Sequence, residues 1–100
     1  MFIPDDILDL CKAYMRIDGD EDDALIRFFA SAAAEYLQVG GASETAGHRY
    51  TLALCALTCH YYDHRDDTDP TAAPIPTALR NLISQIKLGP ATAEEYAGVL

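Results

Sequence analysis

Cys55, Cys59, His60 and His64 are of the types that bind zinc, and they fall within one short stretch of chain. Their spacing argues against a shared ion. At 100° per residue, Cys55 and Cys59 lie within about 40° of each other, as do His60 and His64. The two pairs point roughly 140° apart, whereas zinc ligands converge tetrahedrally at about 2.0–2.3 Å. One straight helix therefore cannot gather all four; two core thiols with two flank histidines is the simpler reading, and a zinc shared between subunits is the alternative. A reactive cysteine needs an electropositive, partly exposed setting. Here the thiols fall in apolar stripes of an acidic chain, and no oxyanion-stabilising loop follows them. The serines and threonines lack a nucleophile-elbow context.

Asp18, Asp20, Glu21, Asp22 and Asp23 invite a calcium reading. An EF-hand loop wants glycine at its sixth position and glutamate at its twelfth. Counting from Asp18 places Asp23 and Phe29 there, so the pattern fails. The acids read instead as a capped turn at a helix N-terminus. Tyr61, Tyr62 and Arg65 form the one aromatic–basic cluster, with Arg49 earlier on the same helix. Base stacking against such a cluster is conceivable. With Asp63, Asp66 and Asp67 alongside, an interface anchor or a core tyrosine fits better. No catalytic residue, metal ligand or cofactor-binding residue is expected.

The elements that must position these residues are helical. One hundred residues make one domain with a modest core. Half of them are hydrophobic, which excludes a disordered tail. A first helix should begin near Pro4 to Asp6, with Ile7, Leu10, Cys11 and Tyr14 as its apolar stripe. Asp18-Gly19-Asp20 breaks it, and Asp20 is a suitable N-cap for the next helix, with Asp23 three residues on. That second helix is expected over 21–38, burying Leu25, Phe28, Phe29, Ala32, Ala33, Tyr36 and Leu37, and ending at Gly40-Gly41.

A third helix is expected over 44–65 with two apolar sectors. Tyr50, Leu54, Leu57 and Tyr61 form one; Leu52, Cys55, Cys59 and Tyr62 form the other. Such a helix is the middle one of a small bundle, or packs on its own bundle and on another subunit. Residues 66–76 form a long Pro/Asp-rich loop. The last helix, over 77–87, offers Leu79, Leu82, Ile83 and Ile86 and stops at Gly89-Pro90. Thr92-Ala93-Glu94-Glu95 is a capping-box signal in the tail. The expected fold is all-α, a bundle of about four helices over 1–88 followed by a C-terminal tail over 89–100.

Seven basic residues against sixteen acidic ones give a net charge of −9. Duplex DNA and anionic membranes are poor partners for such a surface, and copies of the chain repel one another unless local pairing or apolar contact offsets it. The odd cysteine number fits reduced, buried thiols of a protein made in the cytoplasm. No signal-peptide pattern opens the chain, and no run approaches the roughly 20 apolar residues a membrane span needs.

The order of features also carries a resemblance. YMRIDGDEDDALI closes the first helix, AAAEYL lies in the second, TLALCALTCHYYDHR in the third, and IPTALRNLISQIKL follows a proline-bearing loop. This resembles the small head–tail connector (adaptor) proteins of long-tailed bacteriophages, a family also grouped with DNA packaging. Its pattern has YLRIDGDEED after the first helix, a YENR-like end to the third, and a proline-initiated last helix with a leucine pair. These match Tyr14 to Asp23, Tyr62 to Arg65, and Pro76, Leu79 and Leu82, so that about residues 3 to 88 are covered. The chain departs from the pattern at Met15, in the short glycine-rich segment between the second and third helices, and at Lys87 where an arginine is usual.

The resemblance implies structural work in the virion and no catalysis. Wedge-shaped subunits, made in the bacterial host cytoplasm, assemble into a dodecameric ring at the head–tail junction. The portal protein lies above and the next neck or tail-completion protein below. DNA passes through without specific binding. Self-repulsion suggests basic residues pairing with neighbouring acids across the ring contact. The expected contact residues are Arg16, Asp20, Asp22, Arg49, Tyr61, Tyr62 and Arg65, with Arg27 a further candidate for such pairing. The alternative is a small acidic helical binding module, of antirepressor or DNA-mimic type, acting on a basic partner.

Overall fold

Helix α1 spans Asp5–Met15, α2 Asp23–Val39 and α3 His48–Asp63, and a last helix, α4, covers 77–87. The computed structural model describes residues 3–42 and 47–87, and among them there is no strand. The fold is a small all-α bundle. The expected start of the third helix at Glu44 and the capping signal of the tail lie outside the described residues.

Helix α1 starts where the sequence suggests, with Pro4 before it and Asp5 and Asp6 in the first turn. It ends earlier than the Asp18-Gly19-Asp20 break. Arg16 takes the left-handed conformation, φ 59° and ψ 43°. The Arg16 amide bonds the Ala13 carbonyl and the Ile17 amide bonds the Lys12 carbonyl, so arginine holds the place glycine usually fills in this C-cap. Ile17 then folds back against the core formed by Leu8, Cys11, Ile26 and Cys55. Asp20 is not the N-cap of α2. That place falls to Asp22, whose side chain makes no cap bond.

Helix α2 ends at the expected glycines. The Gly41 amide bonds Gln38 and the Ala42 amide bonds Leu37, with Gly41 at φ 95° as the left-handed residue. Its buried face is Ile26, Phe29, Ala30, Ala33, Ala34 and Leu37. This lies nearly a quarter turn from the expected face, and α1 is rotated likewise, burying Leu8 and Cys11. Leu10 and Tyr14 are exposed, as are Phe28 and Tyr36. The reason is size. Helix α2 packs against both α1 and α3, and the alanines at 30, 33 and 34 allow close approach that two aromatic rings would block.

Helix α3 is the middle element, in contact with α1 and α2, and its Tyr50, Leu54, Leu57 and Tyr61 sector fills the main core with Leu79, Ile83 and Ile86 of α4. Of its second sector only Cys55 is buried. The Pro/Asp loop contains one 3-10 turn, Pro70–Ala72, capped by the Asp69 carboxylate, which accepts from the Thr71 amide and hydroxyl at 3.1 and 2.6 Å.

Candidate functional site

The Cys/His set is dispersed by the fold. Cys55 turns inward to Cys11 of α1, with the two sulfurs 3.6 Å apart in the core. The hydrogen bond with Cys11, and burial after it, push the Cys55 thiol up. Cys59, half-buried one turn on, faces the Asp63 carboxylate at 3.7 Å. Burial first, then the Asp63 charge, hold its thiol above the usual range. His60 donates from Nε2 to the Ala73 carbonyl at 3.2 Å, tying the Pro/Asp loop to α3, and His64 Nδ1 caps the His60 carbonyl at 2.8 Å. The two imidazoles lie tilted at 50° to each other with centroids 4.5 Å apart. Thiols held protonated are weak nucleophiles and weak ligands. Among the described residues no three His, Cys, Asp or Glu side chains are grouped to hold a metal ion.

The acidic turn is bound to its own chain. Lys12 of α1 reaches Asp23 at 2.7 Å and Asp20 at 3.4 Å. The Asp23 bond is the main reason the Lys12 ammonium titrates above its ordinary 10.5. Arg27 is spent within the chain, on the Asp5 carboxylate and the Ile3 carbonyl. The Tyr62 hydroxyl donates to Asp22, joining the start of α2 to the end of α3. That bond, then burial, raises the Tyr62 hydroxyl. The Arg65 guanidinium lies 4.3 Å above the Tyr62 ring and donates to the Tyr62 carbonyl at 2.9 Å.

The expected contact residues thus separate. Tyr61, expected at the contact, is instead a core residue, 1% exposed and packed edge-on against Phe29. Burial pushes its hydroxyl up to about 12. Asp20, Asp22 and Tyr62 fasten the bundle to itself, and Arg65 packs on Tyr62, three residues before it. Arg16 and Arg49 are exposed and ion-pair with no described residue.

The sequence reading missed the surface left by the rotation of α1 and α2. Phe28, Tyr36 and Val39 of α2 are 66, 43 and 83% exposed, and they lie within an 80° arc of the helix. A hollow of about 450 Å³ opens beside Tyr36 and Val39, reaching Tyr61 of α3. A second hollow, of about 400 Å³, lies between Tyr14, Leu52, Ala56 and Cys59 on one side and Leu79 and Leu82 on the other. Leu52 and Tyr61 are nine residues apart, which places them on opposite sides of α3. The molecule therefore presents two unlike apolar surfaces on opposite flanks. The available signal was the breadth of the apolar arcs, wider on α1 and α2 than one contact face requires.

Comparison with protein-family models, with curated proteins and with solved structures found no match. No helix among the described residues is long and apolar enough to cross a membrane.

Proposed function

We propose that this chain is a structural subunit of a phage or prophage head–tail connector. Copies stand side by side in a ring beneath the portal, extend the DNA channel and receive the next neck or tail-completion protein. The observation that carries this reading is the pair of apolar surfaces on opposite flanks of α3. Exposed apolar patches mark interaction surfaces, and two different flanks are what a ring subunit shows to its two neighbours. The ordered motifs from Tyr14 to Asp23, from Tyr62 to Arg65 and from Pro76 to Leu82 support the same reading through their resemblance to the connector family. A net charge of −9 suits a channel that DNA must cross without being gripped.

The acidic-module alternative is less well supported. It needs acids free and evenly spaced on one face, yet Asp5, Asp20, Asp22 and Asp23 are turned onto Arg27, Lys12 and Tyr62 of the same chain. Deleting the coding segment from the phage or prophage tests the proposal. DNA-filled heads without tails should accumulate, and complementation should restore tailed particles. Normal yields of tailed, infectious particles would overturn it.

A further inference from the structure

We infer that neighbouring copies join head to tail, the exposed stripe of α2 on one copy seated in the hollow between α1, α3 and α4 of the next. The inference rests on the ring reading above and specifies its contact. Four features support it.

The two surfaces are complementary in kind. Phe28, Tyr36 and Val39 stand out from α2 as knobs, with the exposed Glu35 lying at the edge of the same arc. The hollow on the other flank is lined by Tyr14, Leu52, Ala56, Leu79 and Leu82, with Leu79 itself buried. Knobs of one helix entering a trough between others is the general way helical surfaces pack.

The lengths agree. Phe28 to Val39 and Leu52 to Asp63 are each eleven residues apart, about 16.5 Å of helix at 1.5 Å per residue. The stripe spans the trough from end to end.

The charges choose the direction. The Lys87 side chain lies beside Gly40, at the Val39 end of the stripe. Asp63 lies at the far end of the trough. Both are exposed, and neither ion-pairs with a described residue. Setting the stripe parallel to the neighbour's α3 brings Lys87 to Asp63 and Phe28 over Leu52, with Glu35, four residues before Val39, over Cys59. The reverse direction carries Lys87 to the other end of the trough, toward the like charge of Arg49, one turn before Leu52.

Finally, the surfaces differ and lie on opposite flanks. Such a contact cannot close as a two-fold pair. It repeats from copy to copy until a rotation closes it into a ring.

The test uses the full chain, with sedimentation velocity over a range of concentrations and circular dichroism to confirm folding. Val39→Asp spoils the stripe and Leu52→Asp the trough, both at exposed positions. Each variant alone should lose assembly, its association weakened about a hundredfold or more. Mixed in equal amounts they should form dimers and stop there, since one copy keeps a sound trough and the other a sound stripe. Lys87→Glu and Asp63→Lys should each weaken assembly of the native chain, and the double variant should recover it. If the native chain assembles while the Asp variants assemble equally well, or their mixture stays monomeric, this contact is wrong and the ring reading stands. If the native chain never assembles at any soluble concentration, both fall.

Discussion

Ile26 and Phe28 are two residues apart on α2 and have opposite fates. Ile26 is fully buried where α1, α2 and α3 meet, against Leu8, Cys11 and Cys55, while Phe28 is 66% exposed. Periodicity in the sequence places Phe28 inside and leaves Ile26 out of the core stripe. Truncating each to alanine therefore tests the rotation of α2. For Ile26→Ala the lost transfer energy and the cavity together cost about 3–4 kcal/mol. A chain of this size has about 5–15 kcal/mol in total, so the variant forfeits a large share of its stability. At roughly 4–8 °C per kcal/mol, its midpoint should fall by about 12–30 °C. For Phe28→Ala the ring leans on Phe29 with centroids 6.0 Å apart, and its loss costs at most about 1 kcal/mol. Thermal and urea unfolding followed by far-ultraviolet circular dichroism decides the matter, at concentrations low enough that self-association contributes nothing. Equal losses, or a larger loss for Phe28→Ala, would refute the packing described above.

Three further expectations follow from particular residues. Arg16→Gly should stabilise the chain by about 0.5–1 kcal/mol in urea unfolding, since glycine takes the left-handed C-cap conformation without arginine's steric cost, which exceeds the entropy glycine adds to the unfolded chain; a loss would show that the arginine side chain holds something there. Tyr61 has a folded pKa of about 12 against 10.0 unfolded, so the stability it lends is complete below pH 10 and is lost as pH rises from about 10 to 12. Lys12, raised above 10.5 mainly by Asp23, acts in the same direction. The unfolding midpoint should drop across that window, and less steeply in Tyr61→Phe. With a disulfide reagent at neutral pH, the native chain should show one slowly reacting thiol, Cys59, while Cys11 and Cys55 react only on unfolding; rapid labelling of all three would contradict the closed α1–α3 contact.

Much of the fold was legible because its punctuation is written in backbone chemistry. Pro4 with Asp5 and Asp6 opens α1, Gly40-Gly41 closes α2, and the prolines of 66–76 separate α3 from α4. The middle position of α3 was legible from its two apolar sectors. The facing of α1 and α2 was not. Periodicity locates an apolar arc but not which part of a broad arc meets a neighbour, and that is settled by the small volume of Ala30, Ala33 and Ala34. Gly19 drew the expected end of α1 toward itself, although the left-handed residue is Arg16. Tyr61 and Tyr62 are adjacent in sequence but 100° apart on the helix, so one is core and the other reaches Asp22. The 3.6 Å approach of Cys11 to Cys55 joins residues 44 apart and has no local signature. The candidate site was the least legible part, because an exposed apolar stripe and a buried one look alike as letters.

The measurement that bears most directly on the connector reading is electron microscopy of the purified native chain, raised in concentration until its mass in solution stops growing. Closed annular particles of one diameter, with an open centre wide enough for duplex DNA, are the expected result. Particles that end at dimers, or chains that lengthen without closing, would contradict it.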